Sequence, residues 1–157
     1  MMSWLPMESV HPLLVHFPIA LLLTALLLDG VAIMLKRPHL HRVALWNLSL
    51  GTVGAAVAVR TGLWAAEIAK HTFEIHQVMK LHRKLGITTL ILGGLVVLWR
   101  LVTRDRLSSL WRAITVLLML AMAGTLMYGA HLGGRLVYEF GVGGNFGASG
   151  YSPSIHH

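Results

Sequence analysis

Histidine is the residue of this chain best suited to chemistry: ten occur in 157 residues, against no cysteine. A neutral imidazole can ligate haem iron, copper or zinc. Without cysteine there is no disulfide framework, no c-type haem attachment and no thiolate-held iron–sulfur cluster. Any metal centre therefore falls to histidine, methionine, carboxylate or backbone. His39 and His41 lie in a basic segment and read as solvated, and His156 and His157 close the chain. The informative six are His11, His16, His71, His76, His82 and His131.

The elements that must position them are membrane spans. Hydrophobic residues make up 55% of the chain and charged residues only 12%, too few to dress the surface of a soluble domain. Four apolar runs, about 12–35, 43–66, 85–102 and 113–132, are each long enough to cross roughly 30 Å of hydrocarbon. Short connections make antiparallel neighbours of them. The expected fold class is all-α, an integral membrane up-down four-helix bundle forming a single transmembrane domain, with 133–157 as an external Gly-rich tail. The N-terminal segment has no basic residue ahead of its apolar run and does not read as a cleaved signal peptide.

Charge gives the orientation. The net charge of +7 comes from basic residues between apolar runs, which favours retention loops over nucleic-acid binding. Lys36, Arg37, Arg42, Arg100, Arg104, Arg106 and Arg112 gather at one end of the spans. Lys70, Lys80, Arg83, Lys84 and Arg135 gather at the other, diluted by Glu67 and Glu74. The bias puts the first and third connections in the cytoplasm and both termini outside. Trp4 and Trp64 mark the outer edge of the spans and Trp46, Trp99 and Trp111 the inner one.

On that arrangement the six histidines share the outer end of the bundle. His11 and His16 open the first span, His82 opens the third and His131 closes the fourth. Ionisable groups at membrane depth are costly and mark function by default. His82, Gly86, Thr89 and Gly93 follow one helical face. Gly124 lies on the side of His131 and Ala20 one turn past His16, so small residues clear space beside each histidine. A flat macrocycle needs such space and a bare ion does not, although tight helix packing would use the same residues. Gly51, Gly54, Ala58 and Gly62 in the second span read simply as a packing stripe.

The preferred reading is one or two haem b groups, with His16 and His82 as the first axial pair and His131 and His11 as the alternative or second pair. Arg60 falls at the same depth and could pair with a haem propionate, snorkel outward or meet Glu67. Asp29 and Arg100 read as a structural pair at the inner end. Pro12 reads as a helix start and Pro18 as a kink. Copper or zinc held by His11, His16, His76, His82 and His131 is the alternative, and a cofactor-free structural or assembly subunit the third. Met127, four residues before His131, would suit copper but reads as packing. No hydrolase or phosphate-binding motif is present, so the expected role is an electron carrier rather than a complete enzyme.

Two segments carry a resemblance. His11-Pro12-Leu13-Leu14-Val15-His16-Phe17-Pro18-Ile19-Ala20, with Asp29 downstream, and His131-Leu132-Gly133-Gly134-Arg135-Leu136-Val137-Tyr138, followed by Gly141-Val142-Gly143, resemble a bacterial family of four-span membrane proteins of unknown function. Arg60-Thr61-Gly62-Leu63 and the His82 region are similar to it as well. The resemblance covers nearly the whole chain and implies the four-span fold. Relatives fused to Rieske or cytochrome c domains imply a redox setting, with respiratory or redox subunits as partners; quinone is the further partner expected of a haem carrier. The chain departs from the family at Gly144, where a valine is common, and at Phe140, where a histidine often stands, so no ligand role carries over to that last position.

Overall fold

In the computed structural model, residues 7–68, 73–103 and 108–141 are described, with the side chains of 7–13 and 65–68 left out. They form four helices: α1 (Met7–Met34), α2 (Pro38–Ile68), α3 (Phe73–Val102) and α4 (Ser109–Tyr138). Each is long and apolar enough to cross a membrane. α1 packs most extensively on α2, and α3 on α4. α2 and α3 join the two hairpins, and α1 and α4 close the ring along a thin seam. The diagonal pairs do not pack. This is the expected up-down four-helix bundle.

The helices outrun the apolar segments. At 28 to 31 residues each is about 42–46 Å long, well beyond a hydrocarbon core of about 30 Å. α3 starts at Phe73 rather than near Leu85, so His76, Lys80, His82, Arg83 and Lys84 stand on a helix. α4 carries Gly133 to Tyr138, which the sequence assigns to the tail. Charged side chains end an apolar run without ending a helix, because they can reach the headgroup layer while the backbone bonds continue. α1 likewise begins before Pro12 and runs unbroken through Pro18.

The core is thin and made of small or flexible residues: Leu22 and Ala25 of α1, Leu48 and Ala55 of α2, Val96 of α3, and Met119 and Met122 of α4. No more than 28% of each apolar window is buried, and the exposed remainder includes Leu27, Trp46, Val53, Leu98 and Leu117. Apolar faces turned outward this way meet the acyl chains of a bilayer. The glycine stripe of α2 serves packing. A Cβ on Gly51 would come within 2.9 Å of Leu22, and one on Gly54 within 3.1 Å of Phe17. A Cβ on Gly93 would stand 2.8 Å from Thr52 Oγ1. Thr89 and Thr125 share a hydrogen bond of 2.9 Å between α3 and α4.

Candidate functional site

The two ends of the bundle are built differently. At the basic end, which holds the α1–α2 and α3–α4 connections, each helix contributes one polar side chain to a single network. Asp29 of α1 accepts from Arg100 Nη1 of α3 at 2.5 Å and from His41 Nδ1 of α2 at 2.7 Å. Arg100 Nη2 donates to the His41 carbonyl at 2.8 Å. Arg112 Nη1 of α4 donates to His41 Nε2 at 2.8 Å. A neutral imidazole protonated on Nδ1 satisfies both of the bonds that His41 makes. Arg100 is only 2% exposed, so its burial is tolerated because of this pairing.

The Asp29–Arg100 pair is the one the sequence suggests, but His41 is not the solvated residue expected of a basic loop. α2 begins at Pro38, which puts His41 in its first turn, facing Asp29. Trp99 and Trp111 stack beside the network with ring centroids 5.0 Å apart, joining α3 to α4 at that edge.

The network also sets a level from which the other end can be measured. His82 stands eighteen residues before Arg100 on α3, and His11 eighteen residues before Asp29 on α1. Both are therefore about 27 Å above the network by helical rise. Arg60 lies nineteen residues past His41, and His131 nineteen past Arg112. All four occupy one layer at the histidine end. His16 lies about one turn below it and His76 above.

Faces separate residues that share this layer. The buried stripe of α3 is Thr89, Gly93, Val96 and Arg100, and His82 continues it upward, half-buried. His82 Nδ1 donates to the Gly129 carbonyl of α4 at 2.8 Å. Its ring lies against Gly133, where a Cβ would come within 3.1 Å of Cε1. The buried positions of α1 are Pro18, Leu22, Ala25, Asp29 and Ala32, and His11 stands seven residues before Pro18, in register with them. His16 and Arg60 are each two residues from the nearest described buried position of their helices, and His131 stands one residue before buried Leu132, yet all three are exposed, as is His76. Ala20 and Gly124 are exposed too, so the space beside His16 and His131 opens outward. A Cβ on Gly86 would meet Val59 only at ordinary contact distance, 3.6 Å.

Sequence reasoning missed the roles of Gly129 and Gly133, whose spacing of about one helical turn from each other, on either side of His131, was the available signal. Among the described residues, no three histidine or acidic side chains are grouped so as to hold a metal ion. A pocket of about 450 Å³ lies on the α3–α4 surface, lined by Gln77, Lys80, Lys84, Tyr128, Leu132 and Arg135. None of His16, His82, His131 or Arg60 lines it. Arg135 also pairs with Glu139 at 2.9 Å. The side chains of His11 and Glu67, the residues Trp4, Lys70, His71, Arg104 and Arg106, and the segment 142–157 with Gly144, His156 and His157 lie outside the described residues.

The family model for a predicted membrane protein, DUF2231, matches residues 7–145, from the start of α1 to just past the end of α4. The chain belongs to the DUF2231 family. The match takes in both motif segments and all four helices, so the ring of helices described here is the DUF2231 unit of this chain. No curated protein and no solved structure matches it.

Proposed function

We propose that this DUF2231 protein is a haem b-binding electron-transfer subunit or membrane anchor of a respiratory redox complex, with His82 as the principal axial ligand. One observation carries the reading. His82 lies on the inward stripe of α3, tied through Nδ1 to the Gly129 carbonyl and seated on Gly133. Ligating histidines characteristically donate their second ring nitrogen to a backbone carbonyl or carboxylate, which fixes the tautomer and the ring plane. With Nδ1–H held this way, Nε2 would be the atom by which His82 holds the haem.

His11, level with His82 by helical rise and on the diagonally opposite helix, would be the second residue to hold the haem. Exposed His16 and His131 rank below it, and Arg60 serves the propionates at the rim. Bound haem supplies one-electron transfer. The protein's part is to fix the imidazoles and exclude water. The histidine end faces outward across a bacterial inner membrane, where electrons pass between quinol and an external cytochrome c or Rieske-type partner.

The test is a dithionite-reduced minus air-oxidised visible spectrum of the protein, purified in mild detergent after expression with ample haem. A sharp b-type difference is expected in the parent and in His131→Ala, and its loss in His82→Ala with the bundle still folded. An unchanged spectrum in His82→Ala would remove the ligand assignment. A flat spectrum from folded, haem-replete parent protein would remove the haem itself, and elemental analysis would then decide between copper, zinc and a metal-free subunit.

A further inference from the structure

A second pocket, of about 290 Å³, opens at the basic end between the last turn of α1, the α1–α2 turn and the start of α4. It is lined by Ala32, Ile33, Lys36, Pro38, His41 and Arg112. We infer that this pocket binds the phosphate headgroup of an anionic phospholipid, with one acyl chain lying along the α1–α4 seam. The inference rests on nothing at the histidine end.

Charge is the first reason. Lys36 and Arg112 bring two cations to the pocket from different elements, and among the described residues no carboxylate lines it. Asp29, on the same helix end, is turned to Arg100 and His41. A basic pocket between helices at the end of a span suits an anionic headgroup. Arg112 is also oriented, because its bond to His41 Nε2 ties the guanidinium to a residue that Asp29 holds in turn.

Lys36 supplies an independent sign. α1 ends with Arg37 N donating to the Ala32 carbonyl and Lys36 N to that of Ile33, a Schellman closure. The residue at its left-handed position is Lys36, with φ of 51°, where glycine is usual. A lysine in a conformation that costs about 1–2 kcal/mol is retained against local preference, and its side chain is set against the pocket.

The apolar wall continues the site into the membrane. Ala32 and Ile33 form its lower edge. One turn further in, Gly30 has nothing within 4 Å of where a Cβ would stand. α1 and α4 form the thinnest of the four helix seams, and an acyl chain lies along its outer edge.

The full-length protein, delipidated in mild detergent, would be titrated by native mass spectrometry with phosphatidylglycerol and with phosphatidylcholine of the same acyl chains. Phosphatidylglycerol is expected to bind more tightly. Lys36→Gln, which touches none of the Asp29 bonds, should weaken it by about fivefold, the effect of about one surface charge. Adding Arg112→Gln should weaken it further, while Lys80→Gln with Lys84→Gln at the other end should leave it unchanged. Equal binding of the two lipids, or equal loss in the Lys80/Lys84 pair, would overturn the proposal. Competition by millimolar inorganic phosphate would overturn it too, by showing a site for free anions rather than lipid. Thermal unfolding of each variant separates lost binding from lost fold, and Lys36→Gln alone decides if Arg112→Gln does not fold.

Discussion

The basic end and the histidine end of this bundle solve opposite problems with similar residue types. At the basic end, Asp29, His41, Arg100 and Arg112 satisfy one another across all four helices, and the side chains of Asp29 and Arg100 are almost wholly buried. At the histidine end, His82 makes a bond across to α4, while His16, His131 and Arg60 stand exposed. A closed network of opposite charges fixes helix register. At the histidine end, about 27 Å away, the described side chains are more open to their surroundings, and an exposed imidazole contributes less to register than a buried ion pair. Ionisable groups in membrane helices can thus differ in structural weight with their burial and pairing.

That contrast is open to direct attack. Asp29→Ala should have the largest effect. It leaves the Arg100 charge buried without its partner, at a cost of about 3–5 kcal/mol, read by unfolding in mild detergent. A loss as small as that of His82→Ala, expected near 1 kcal/mol for a single hydrogen bond, would erase the distinction between the ends. Gly133→Ala comes next. Its Cβ presses on the His82 ring, costing about 1–3 kcal/mol or, if the ring gives way, shifting the imidazole resonances of His82 in NMR. Lys36→Gly should raise stability by about 1 kcal/mol by relieving the left-handed lysine, while also removing a pocket charge. Smallest is Gly124→Ala. Nothing lies within 4 Å of the added carbon, so a gain of about 0.5–1 kcal/mol from helix propensity is expected. Destabilisation there would mean that the face of α4 bearing His131 is covered rather than open.

The spans and their order are legible in the sequence because a bilayer demands long apolar runs, and few folds accommodate four of them joined by short connections. The Asp29–Arg100 pair is legible for a related reason: two opposite charges at the same end of apolar helices have to meet. His41 is not, because its role depends on α2 starting at Pro38, and hydropathy does not register a helix start inside a basic segment. Depth is readable from the 1.5 Å rise, and the face shared by His82, Thr89 and Gly93 from their spacing. What spacing within one helix does not give is how that helix is turned toward its neighbours. His16 lies two residues from buried Pro18 and His131 one from buried Leu132, and that both are nonetheless exposed becomes visible only when all four helices are in place.

The network at the basic end also has a history within each molecule. His41 is twelve residues from Asp29, so their bond can close as soon as the first helical hairpin forms. Arg100 is seventy-one residues from Asp29 and leaves the ribosome much later. The first hairpin therefore enters the membrane with its acid already given a local partner, which lowers the cost of holding a carboxylate there while the second hairpin is made. The arrival of Arg100 then completes the acceptor. The same set of bonds that fixes register in the finished bundle thus serves, in sequence, as a temporary shelter for a charge and as the catch that joins the two hairpins.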